Sequence, residues 1–381
     1  MNRRILFITL ACFLLVLSSN GQVIDVGLFQ TVKLKKVVVI PEKGEFEFYG
    51  DGVRISELGE TDGLRLEISN GKILLKSLSN DFGSYKRVEF KGLTHQSLLN
   101  VKGIIPGTRA NPYNDRIKVE IINGYLQIVN QVNIENYVAG VVEAEAGKER
   151  PVEYYKVQSI ISRTYALANF RRHLAEGFQL CDQVHCQVYN GKSRHEPLIP
   201  VGVMKTKGMV LVDSDITLIT AAFSSNCGGK TRNSEDVWSK PLSYLKSVSD
   251  TFCLSADHAN WKKTISRSEW ENYKKHNAVN TSFSSGKGAS IDDTFSEFLY
   301  GKQDLNAIRS TFKLNSTRFV IEENGNEVTF IGQGFGHGVG LCQEGAIHMA
   351  ELGYPYREIL NFYYTNIHLI QLATLNFFKF D

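Results

Sequence analysis

Asp-Gly and Asn-Gly pairs between short runs of β-forming residues constrain the fold of this chain more than any other feature. Asp51-Gly52 and Asn70-Gly71 separate such runs, and Asn123-Gly124 follows residues 117–121, where apolar and polar side chains alternate. Such pairs favour two-residue hairpin turns, because both residues tolerate positive φ. The runs that they separate include Val37 to Ile40, Glu45 to Tyr49, Leu64 to Ile68 and Ile73 to Leu78. Residues 22–132 are therefore predicted to be largely β.

Two helices are predicted directly after this β-rich region. The first spans 134–146, where Asn133 is a favourable N-cap and Gly147 ends the helix. Pro151 fits the first turn of a second helix, which is predicted to reach about Glu176. The change from predicted hairpins to predicted helices indicates that the β-rich region is followed by a part of the chain with helices.

The rest of the chain mixes both kinds of element. The pattern predicts strands over 209–212 and 217–223, a loop over 280–290, a hairpin around Asn324-Gly325, a glycine-dense loop over 332–340, and a helix from Leu341 to about Leu352. With 43% hydrophobic residues in 381, the chain has enough apolar surface for globular cores. We therefore expect an α+β fold, with a β-rich N-terminal part followed by a mixed helix and strand module.

The amino terminus resembles a secretory signal. Arg3 and Arg4 precede an apolar run over 5–17, which is shorter than the roughly 20 residues that span a bilayer. We predict that residues 1–21 are removed, that the protein is exported to the periplasm or cell wall, and that it keeps no transmembrane anchor. The whole chain carries 43 basic and 40 acidic residues, a near balance that argues against a general nucleic-acid binder.

A carboxylate on the first predicted helix is the best candidate for acid–base chemistry. Glu145 shares a helix face with Val138, Val141 and Val142, whereas Glu143 points away from that face. Burial on an apolar face raises a carboxyl pKa towards the range of a general acid. The alternative is that Glu145 lies at a frayed helix end and is solvated.

The second helix offers polar partners for that glutamate. Gln158, Ser162 and Tyr165 fall on one face, and Lys156 and Arg163 flank it. Side-chain donors on this face can orient a buried carboxylate. Alternatively, the face is simply solvated, because the opposite side of the helix carries an ordinary apolar stripe.

A short loop carries a candidate metal site. Cys181, His185 and Cys186 lie within six residues, and His173 lies eight positions before the first cysteine. Thiolate and imidazole are the ligands that zinc prefers, so we predict a structural zinc site there. A Cys181–Cys186 disulfide is the main alternative.

Two further residues leave more than one interpretation open. Cys227 is either a thiol nucleophile, paired with His337, or one half of a disulfide with Cys253. His337 stands in the glycine-dense loop and either lines a site, as a donor or proton carrier, or caps a turn. Phe335, two residues earlier, is positioned to stack on a sugar ring.

Several segments together resemble the SpoIID/LytB family of exported cell-wall proteins. NQVNIENYVAGVVEAEAG followed by YYKVQSIISRTYAL is similar to the paired helix motifs of that family. CDQVHCQVYNG, SSNCGGKTRNSEDVWSKPLSYLKSV and GQGFGHGVGLCQEGAIHMAELGYPYREILNFYYTN are similar to later family blocks, in the same order. Five ordered blocks are far more specific than any single motif.

The resemblance implies roles for individual residues. It places Glu145 on the glutamate that is the proposed catalytic acid of the family, and His337 near the catalytic cleft. Supporting or substrate-binding positions are Lys156, Gln158, Arg163, Tyr165 and Ser225. Cys181, His185 and Cys186 fall on a block that binds zinc in some members, with His173 as a possible fourth ligand. Departures from the usual motifs are Ala146-Gly147 in place of Met-Pro and Phe223-Ser224 in place of Tyr-His.

The resemblance also implies a function and a domain layout. The expected activity is that of a lytic transglycosylase, which cleaves peptidoglycan glycan strands lacking stem peptides and leaves 1,6-anhydro-muramic acid ends. The alternative within the family is a non-catalytic activator of a cell-wall amidase. We expect a β-rich region over 22–112 and the cell-wall module over 113–381, with a less well matched insertion at about 255–325.

Overall fold

The computed structural model describes residues 22–238, 240–277 and 305–378. The predicted signal segment over 1–21 and the predicted loop over 280–290 lie outside these residues. The described part contains strands and helices in the predicted order, and the α+β fold is confirmed.

Two sheets, in which most neighbouring strands are antiparallel, form the N-terminal part of the molecule. Their strands are β1 (Val23–Leu28), β2 (Lys36–Lys43), β3 (Phe46–Gly50), β4 (Val53–Leu58), β5 (Leu64–Ser69), β6 (Lys72–Lys76), β7 (Asp81–Tyr85), β8 (Arg87–Gly92), β9 (Leu98–Ile105), β10 (Asn111–Asn114), β11 (Arg116–Ile122), β12 (Tyr125–Asn133) and β13 (Leu180–Cys181). One sheet has the order β13-β1-β12-β11-β8-β3-β4, and the other has the order β10-β9-β2-β5-β6-β7. The two-residue β13 joins the cysteine loop to the edge of the first sheet, beside β1.

The predicted hairpin turns are confirmed. Asp51, Asn70 and Asn123 have φ values of 51°, 50° and 51°, and the glycine after each of them also has positive φ. These turns join β3 to β4, β5 to β6 and β11 to β12 in antiparallel pairs. Each turn fixes the register of its hairpin, so apolar side chains of both sheets face one core.

The first two helices are α1 (Ile134–Ala146) and α2 (Val152–Ala168). The Asn133 side chain accepts a hydrogen bond from the Glu135 N–H at 2.9 Å, so the predicted N-cap is confirmed. The prediction that the second helix reaches Glu176 is wrong. Asn169 ends it, because its backbone N–H and its side-chain amide both donate to the Tyr165 carbonyl, at 3.0 and 2.9 Å.

The remaining elements complete the described part of the chain. They are α3 (Leu198–Lys205), β14 (Met209–Val212), β15 (Phe223–Ser224), α4 (Ser234–Trp238), β16 (Asn260–Ser266), α5 (Arg267–Asn277), a helix α6 over 305–312, β17 (Phe319–Asn324), β18 (Glu327–Gln333), β19 (Leu341–Cys342), α7 (Gln343–Glu351), α8 (Tyr356–Tyr363), β20 (His368–Gln371) and α9 (Leu372–Phe378). The predicted strand at 209–212 and the hairpin at Asn324-Gly325 are confirmed.

Two predictions for this part are wrong for the same physical reason. The strand expected over 217–223 is reduced to a single bridge of Leu218 with Val212 and to β15, whose two residues pair in parallel with Leu341 and Cys342. The helix expected from Leu341 begins at Gln343, because Leu341 and Cys342 pair in parallel with Phe223 and Ser224. In both cases a partner distant in sequence decided the local structure.

One continuous apolar core runs from the two sheets into α1, α2 and α7. Strand β10 spans the predicted boundary at residue 112, and its Tyr113 is buried in this core. A smaller core lies between β16–β18 and the helices α5 and α6, around Trp270 and Phe330. Within the described residues, none of the helices is long and apolar enough to cross a membrane.

Candidate active-site cleft

A cleft of about 490 Å³ opens between α1 and α2 on one side and two loops on the other. The helix-side wall consists of Glu145, Tyr165, Arg172, Val184 and Cys186. The loop-side wall consists of residues 220–225, Trp238, Phe335, Gly336, His337 and Gln343.

Glu145 is the one carboxylate among the described residues that line this cleft. The apolar face predicted for α1 is present, since Val138, Val141 and Val142 are buried, and Glu145 is half-buried at its end. Burial raises the pKa of Glu145, and a hydrogen bond from the Val188 backbone N–H, at 3.0 Å, partly offsets this rise. The carboxyl group therefore favours the neutral form more than a solvated glutamate does.

The neighbouring carboxylate has a different position. Glu143 points away from the cleft, and its Oε2 accepts hydrogen bonds from Ser193 Oγ at 2.8 Å and from the Arg194 N–H at 2.9 Å. It anchors the loop that precedes α3. The two glutamates of α1 thus have separate surroundings, and only Glu145 faces the space where a ligand can bind.

A buried polar chain lies behind Glu145 and joins the two walls. Gln343 Nε2 donates to the Glu145 carbonyl oxygen at 3.2 Å and to Gln158 Oε1 at 3.4 Å. Gln158 in turn donates to Ser162 Oγ at 3.4 Å, and Tyr154 donates its hydroxyl proton to Gln158 at 3.4 Å. Gln158 thus supports the cleft from behind.

The other residues predicted on α2 are divided between the cleft and distant positions. Tyr165 lines the cleft, and Arg172 donates to its hydroxyl oxygen at 2.7 Å. Arg163 is fully buried, and its guanidinium is hydrogen-bonded to Glu135 at the opposite end of α1. Lys156 pairs with Glu153 on the outer side of α2. Arg163 and Lys156 are therefore placed to support packing, away from the described lining of the cleft.

His337 forms part of the loop-side wall as a neutral imidazole. Burial, with a smaller contribution from the positive charge of Arg309, lowers its pKa to about 4. Its Nδ1 accepts the Val339 N–H at 3.0 Å, and the ring is also hydrogen-bonded to the Phe223 backbone. Both hydrogen bonds of the ring are with backbone, so the geometry favours a wall-forming histidine over a proton carrier.

Trp238 and Ser224 are among the cleft residues that the sequence-based prediction missed. Trp238 is 41% exposed and packs 5.2 Å from the His337 ring, between ring centroids. Ser224 Oγ is buried in the wall and has no hydrogen-bond partner among the described residues. Gly336, at φ 114°, brings its backbone so close to Ser224 that an added Cβ would lie 2.7 Å from the serine Cβ. Trp238 falls within the EDVW part of a segment that resembles a family block, and that resemblance is the signal that could have identified it.

The predicted metal ligands come together at the outer edge of the helix-side wall. One donor atom from each of His173, Cys181, His185 and Cys186 lies within 4.8 Å of the others; we call these residues the rim cluster. His185 Nδ1 is 3.9 Å from both sulfur atoms.

The rim cluster fits a zinc ion in its chemistry. His173 Nε2 is buried and has no hydrogen-bond partner among the described residues, whereas Nδ1 of the same ring contacts Glu176 Oε1 at 2.7 Å. A carboxylate on the second ring nitrogen is the usual way to orient a zinc-binding histidine. All five cysteines of the described residues are free thiols, so the alternative Cys181–Cys186 disulfide is not present.

Cys227 is not placed as a nucleophile. It is 2% exposed, and a hydrogen bond with Cys253, together with burial, raises the pKa of its thiol. A reactive thiol needs access and a lowered pKa. Cys227 and Cys253 are also not joined as a disulfide, since their sulfur atoms are 3.6 Å apart.

Comparison with known proteins finds a matching family and several relatives. Residues 122–212 match the SpoIID family, described as Stage II sporulation protein. An uncharacterized protein of Brachyspira hyodysenteriae is 32% identical over 274 residues, which cover 70% of this chain and 72% of that protein. Stage II sporulation protein D of Bacillus subtilis is 29% identical over 259 residues, 62% of this chain and 74% of that protein. The Amidase enhancer of Bacillus subtilis is 27% identical, and the match covers 59% of this chain and 39% of the enhancer.

Proposed function

The chain belongs to the SpoIID/LytB family, and from that premise we propose that it is a peptidoglycan lytic transglycosylase with Glu145 as its general acid and base. Its role is in the cell wall, as the named relatives indicate. The observation that carries the proposal is the single carboxyl group in the described cleft lining, whose pKa burial raises.

One carboxyl group is sufficient for this reaction. Neutral Glu145 donates its proton to the glycosidic oxygen as the bond from that oxygen to C1 of the muramic acid breaks. The resulting carboxylate then accepts the proton of the C6 hydroxyl group as O6 bonds to C1 and closes the 1,6-anhydro ring. No water is consumed, and the acetamido group of the sugar replaces a second carboxylate in stabilising C1.

The loop-side wall has the surface that a glycan strand requires. Trp238 and Phe335 are 41% and 37% exposed, and their ring faces offer apolar contact to the C–H faces of sugars. Ser224 lines the same wall. We assign Tyr165, Ser225 and His337 to substrate positioning.

We propose that the rim cluster binds zinc as a structural ion. His173, Cys181, His185 and Cys186 would hold it, and the ion would supply a rigid cross-link in the loop that ends at Val188. That loop gives Glu145 its backbone N–H donor, so order in the loop sets the position of the acid.

Non-catalytic activation of a cell-wall amidase is the second candidate function. The relative named Amidase enhancer favours it, although the match covers 39% of that protein. In this case the cleft would bind glycan strands without cleaving them. We also propose export to the periplasm or cell wall, on the basis of the signal-like residues 1–21.

The test is digestion of peptide-free glycan strands by the purified protein, with mass spectrometry of the ends. We expect 1,6-anhydro-muramic acid ends from the wild type, and a loss of about 10²- to 10⁴-fold in rate for Glu145→Gln. Glu143→Gln is the matched control on the same helix and should keep activity, with circular dichroism showing that both variants fold.

A full rate from Glu145→Gln contradicts the catalytic assignment. If the wild type releases no anhydro ends but accelerates peptide release by a purified cell-wall amidase, the activator function replaces the lytic one. Both outcomes are read from the same two product assays.

A further inference from the structure

A second group of metal-ligand side chains lies in the core behind the loop-side wall. Cys227, Asp250, Cys253 and Cys342 are all buried, and one donor atom from each lies within 4.8 Å of the others; we call them the buried cluster. We propose that the buried cluster is a structural site for a divalent, thiolate-preferring cation, namely Zn²⁺. This site is separate from the rim cluster and does not depend on the catalytic proposal.

The spacing of the donor atoms suits a tetrahedral ion. Cys227 Sγ is 3.6 Å from Cys253 Sγ and 3.3 Å from Asp250 Oδ2. Zinc bonds of about 2.3 Å to sulfur and about 2.0 Å to oxygen separate ligand atoms by about 3.8 Å for two sulfurs and about 3.5 Å for sulfur and oxygen. The observed separations therefore need shifts of only a few tenths of an ångström.

A disulfide explains the same group less well. Three sulfur atoms converge, so any one disulfide leaves a third thiol buried beside it. Two of the sulfurs also accept backbone N–H groups: Gly229 donates to Cys253 Sγ and Cys227 donates to Cys342 Sγ, each at 3.3 Å. Amide donors aimed at sulfur stabilise thiolates, which is the form that binds a metal.

The Asp250 carboxylate is also oriented by hydrogen bonds. Asp250 Oδ2 accepts the Tyr363 hydroxyl proton at 3.0 Å, and Oδ1 accepts the Phe252 N–H at 3.0 Å. Arg318 adds a positive charge nearby, since its Nη1 donates to the Cys227 and Gly228 carbonyl oxygens at 2.8 and 3.0 Å. Three thiolates and one carboxylate exceed the charge of a divalent ion, and Arg318 offsets part of that excess.

The position of the cluster indicates which part of the molecule the ion would stabilise. Cys227 is two residues from Ser225 in the loop-side wall, and Cys342 immediately precedes Gln343, which contacts the Glu145 carbonyl. These two segments also meet through the two-residue pairing of β15 with β19 and through the Glu344 N–H, which donates to the Ser225 carbonyl oxygen at 3.0 Å. A metal ion would tie both of them to the 250–253 turn and so hold the loop-side wall together.

Zinc content of the full chain, loaded with Zn²⁺ alone and desalted, tests the proposal. With both sites filled, elemental analysis should find two zinc ions per chain. The Cys181→Ser/Cys186→Ser variant removes the rim thiolates and leaves the buried cluster intact, so it should retain one. Its Co²⁺-loaded form should show the thiolate-to-cobalt charge-transfer absorption and tetrahedral d–d bands.

Cys342→Ser and Asp250→Asn, made in that double variant, should each weaken or abolish the remaining metal binding. If either fails to fold, the cobalt spectrum of the double variant alone still decides the question. Loss of all zinc and all cobalt bands from the folded double variant overturns the proposal. So does a Cys227–Cys253 disulfide found by mass spectrometry in the protein purified without reductant.

Discussion

The helix-side wall of the cleft comes from one stretch of chain, whereas the loop-side wall is assembled from segments distant in sequence. Residues 134–188 supply α1, α2 and the cysteine loop. The two helices form their backbone hydrogen bonds locally, and the loop pairs with β1 through β13. The loop-side wall relies on short pairings, such as Asn226 with Phe335 and Arg232 with Val339. The difference indicates that the acid is positioned by regular structure and the sugar-facing surface by long-range contacts.

The two walls also differ in what stabilises them. Behind the helix-side wall, Arg163 and Glu135 form a buried ion pair, with Nη2 and Oε2 2.5 Å apart. Behind the loop-side wall lies the buried cluster, with its converging sulfur atoms. Both walls meet at Gln343. Substitutions at three places test this difference between the walls: the Arg163–Glu135 pair, the buried cluster, and Gln343, which links the two walls.

The largest effect is expected from Arg163→Ala, which removes one partner of the buried pair and leaves Glu135 uncompensated. Such losses cost about 3–5 kcal/mol of unfolding free energy. Lys156→Ala, on the same helix but in a partly exposed pair with Glu153, should cost less than Arg163→Ala. Urea unfolding followed by circular dichroism measures both. Equal costs would show that the helix-side wall does not depend on its buried pair.

The link between the walls should give an intermediate effect. Gln343→Ala leaves the Gln158 side chain with one buried hydrogen-bond partner fewer, at a cost of about 1–3 kcal/mol. A double-mutant cycle with Gln158→Ala should show coupling between the two positions, since the side chains are in contact. Additive losses in that cycle would mean that the two walls are held independently.

Sequence reasoning succeeded where structure is local. The hairpins depend on adjacent residues such as Asn123-Gly124, and α1 depends on Asn133 and on the spacing of its own valines. Cys181 and Cys186 were grouped for the same reason, since they lie five positions apart. Patterns of this kind are contained in one short window, so no tertiary contact is required to read them.

Sequence reasoning failed where a distant partner decides the structure. The sulfur of Cys342 accepts the N–H of Cys227, which lies 115 residues earlier in the chain. In the segment 217–223, Phe223 lies in a strand because it pairs with Leu341 from a distant part of the chain. Such partners cannot be inferred from periodicity, because many apolar segments are equally suited to pair.

A smaller effect is expected from the sugar-facing surface. Trp238→Ala should raise KM for glycan strands about tenfold with little change in kcat, since loss of an aromatic contact costs about 1.5 kcal/mol. Trp238 is 41% exposed, so the melting temperature should stay nearly constant. Tyr354→Ala removes a similarly exposed ring outside the described cleft lining and should leave KM unchanged. A fall in kcat alone would move Trp238 from substrate binding to positioning of the acid.

The smallest effect concerns the pH dependence of stability and tests whether Glu145 is desolvated. Burial raises its pKa in the folded state, so its neutral form is favoured there. Its contribution to stability is therefore fully present below the unfolded-state pKa and is lost as pH rises through the folded-state pKa. Glu145→Gln has no ionisation at this position, so its unfolding free energy should increase relative to that of the wild type as pH rises above about 4. Parallel pH curves for the two proteins would mean that the helix-side wall leaves Glu145 solvated, and would remove the physical basis for its role as an acid.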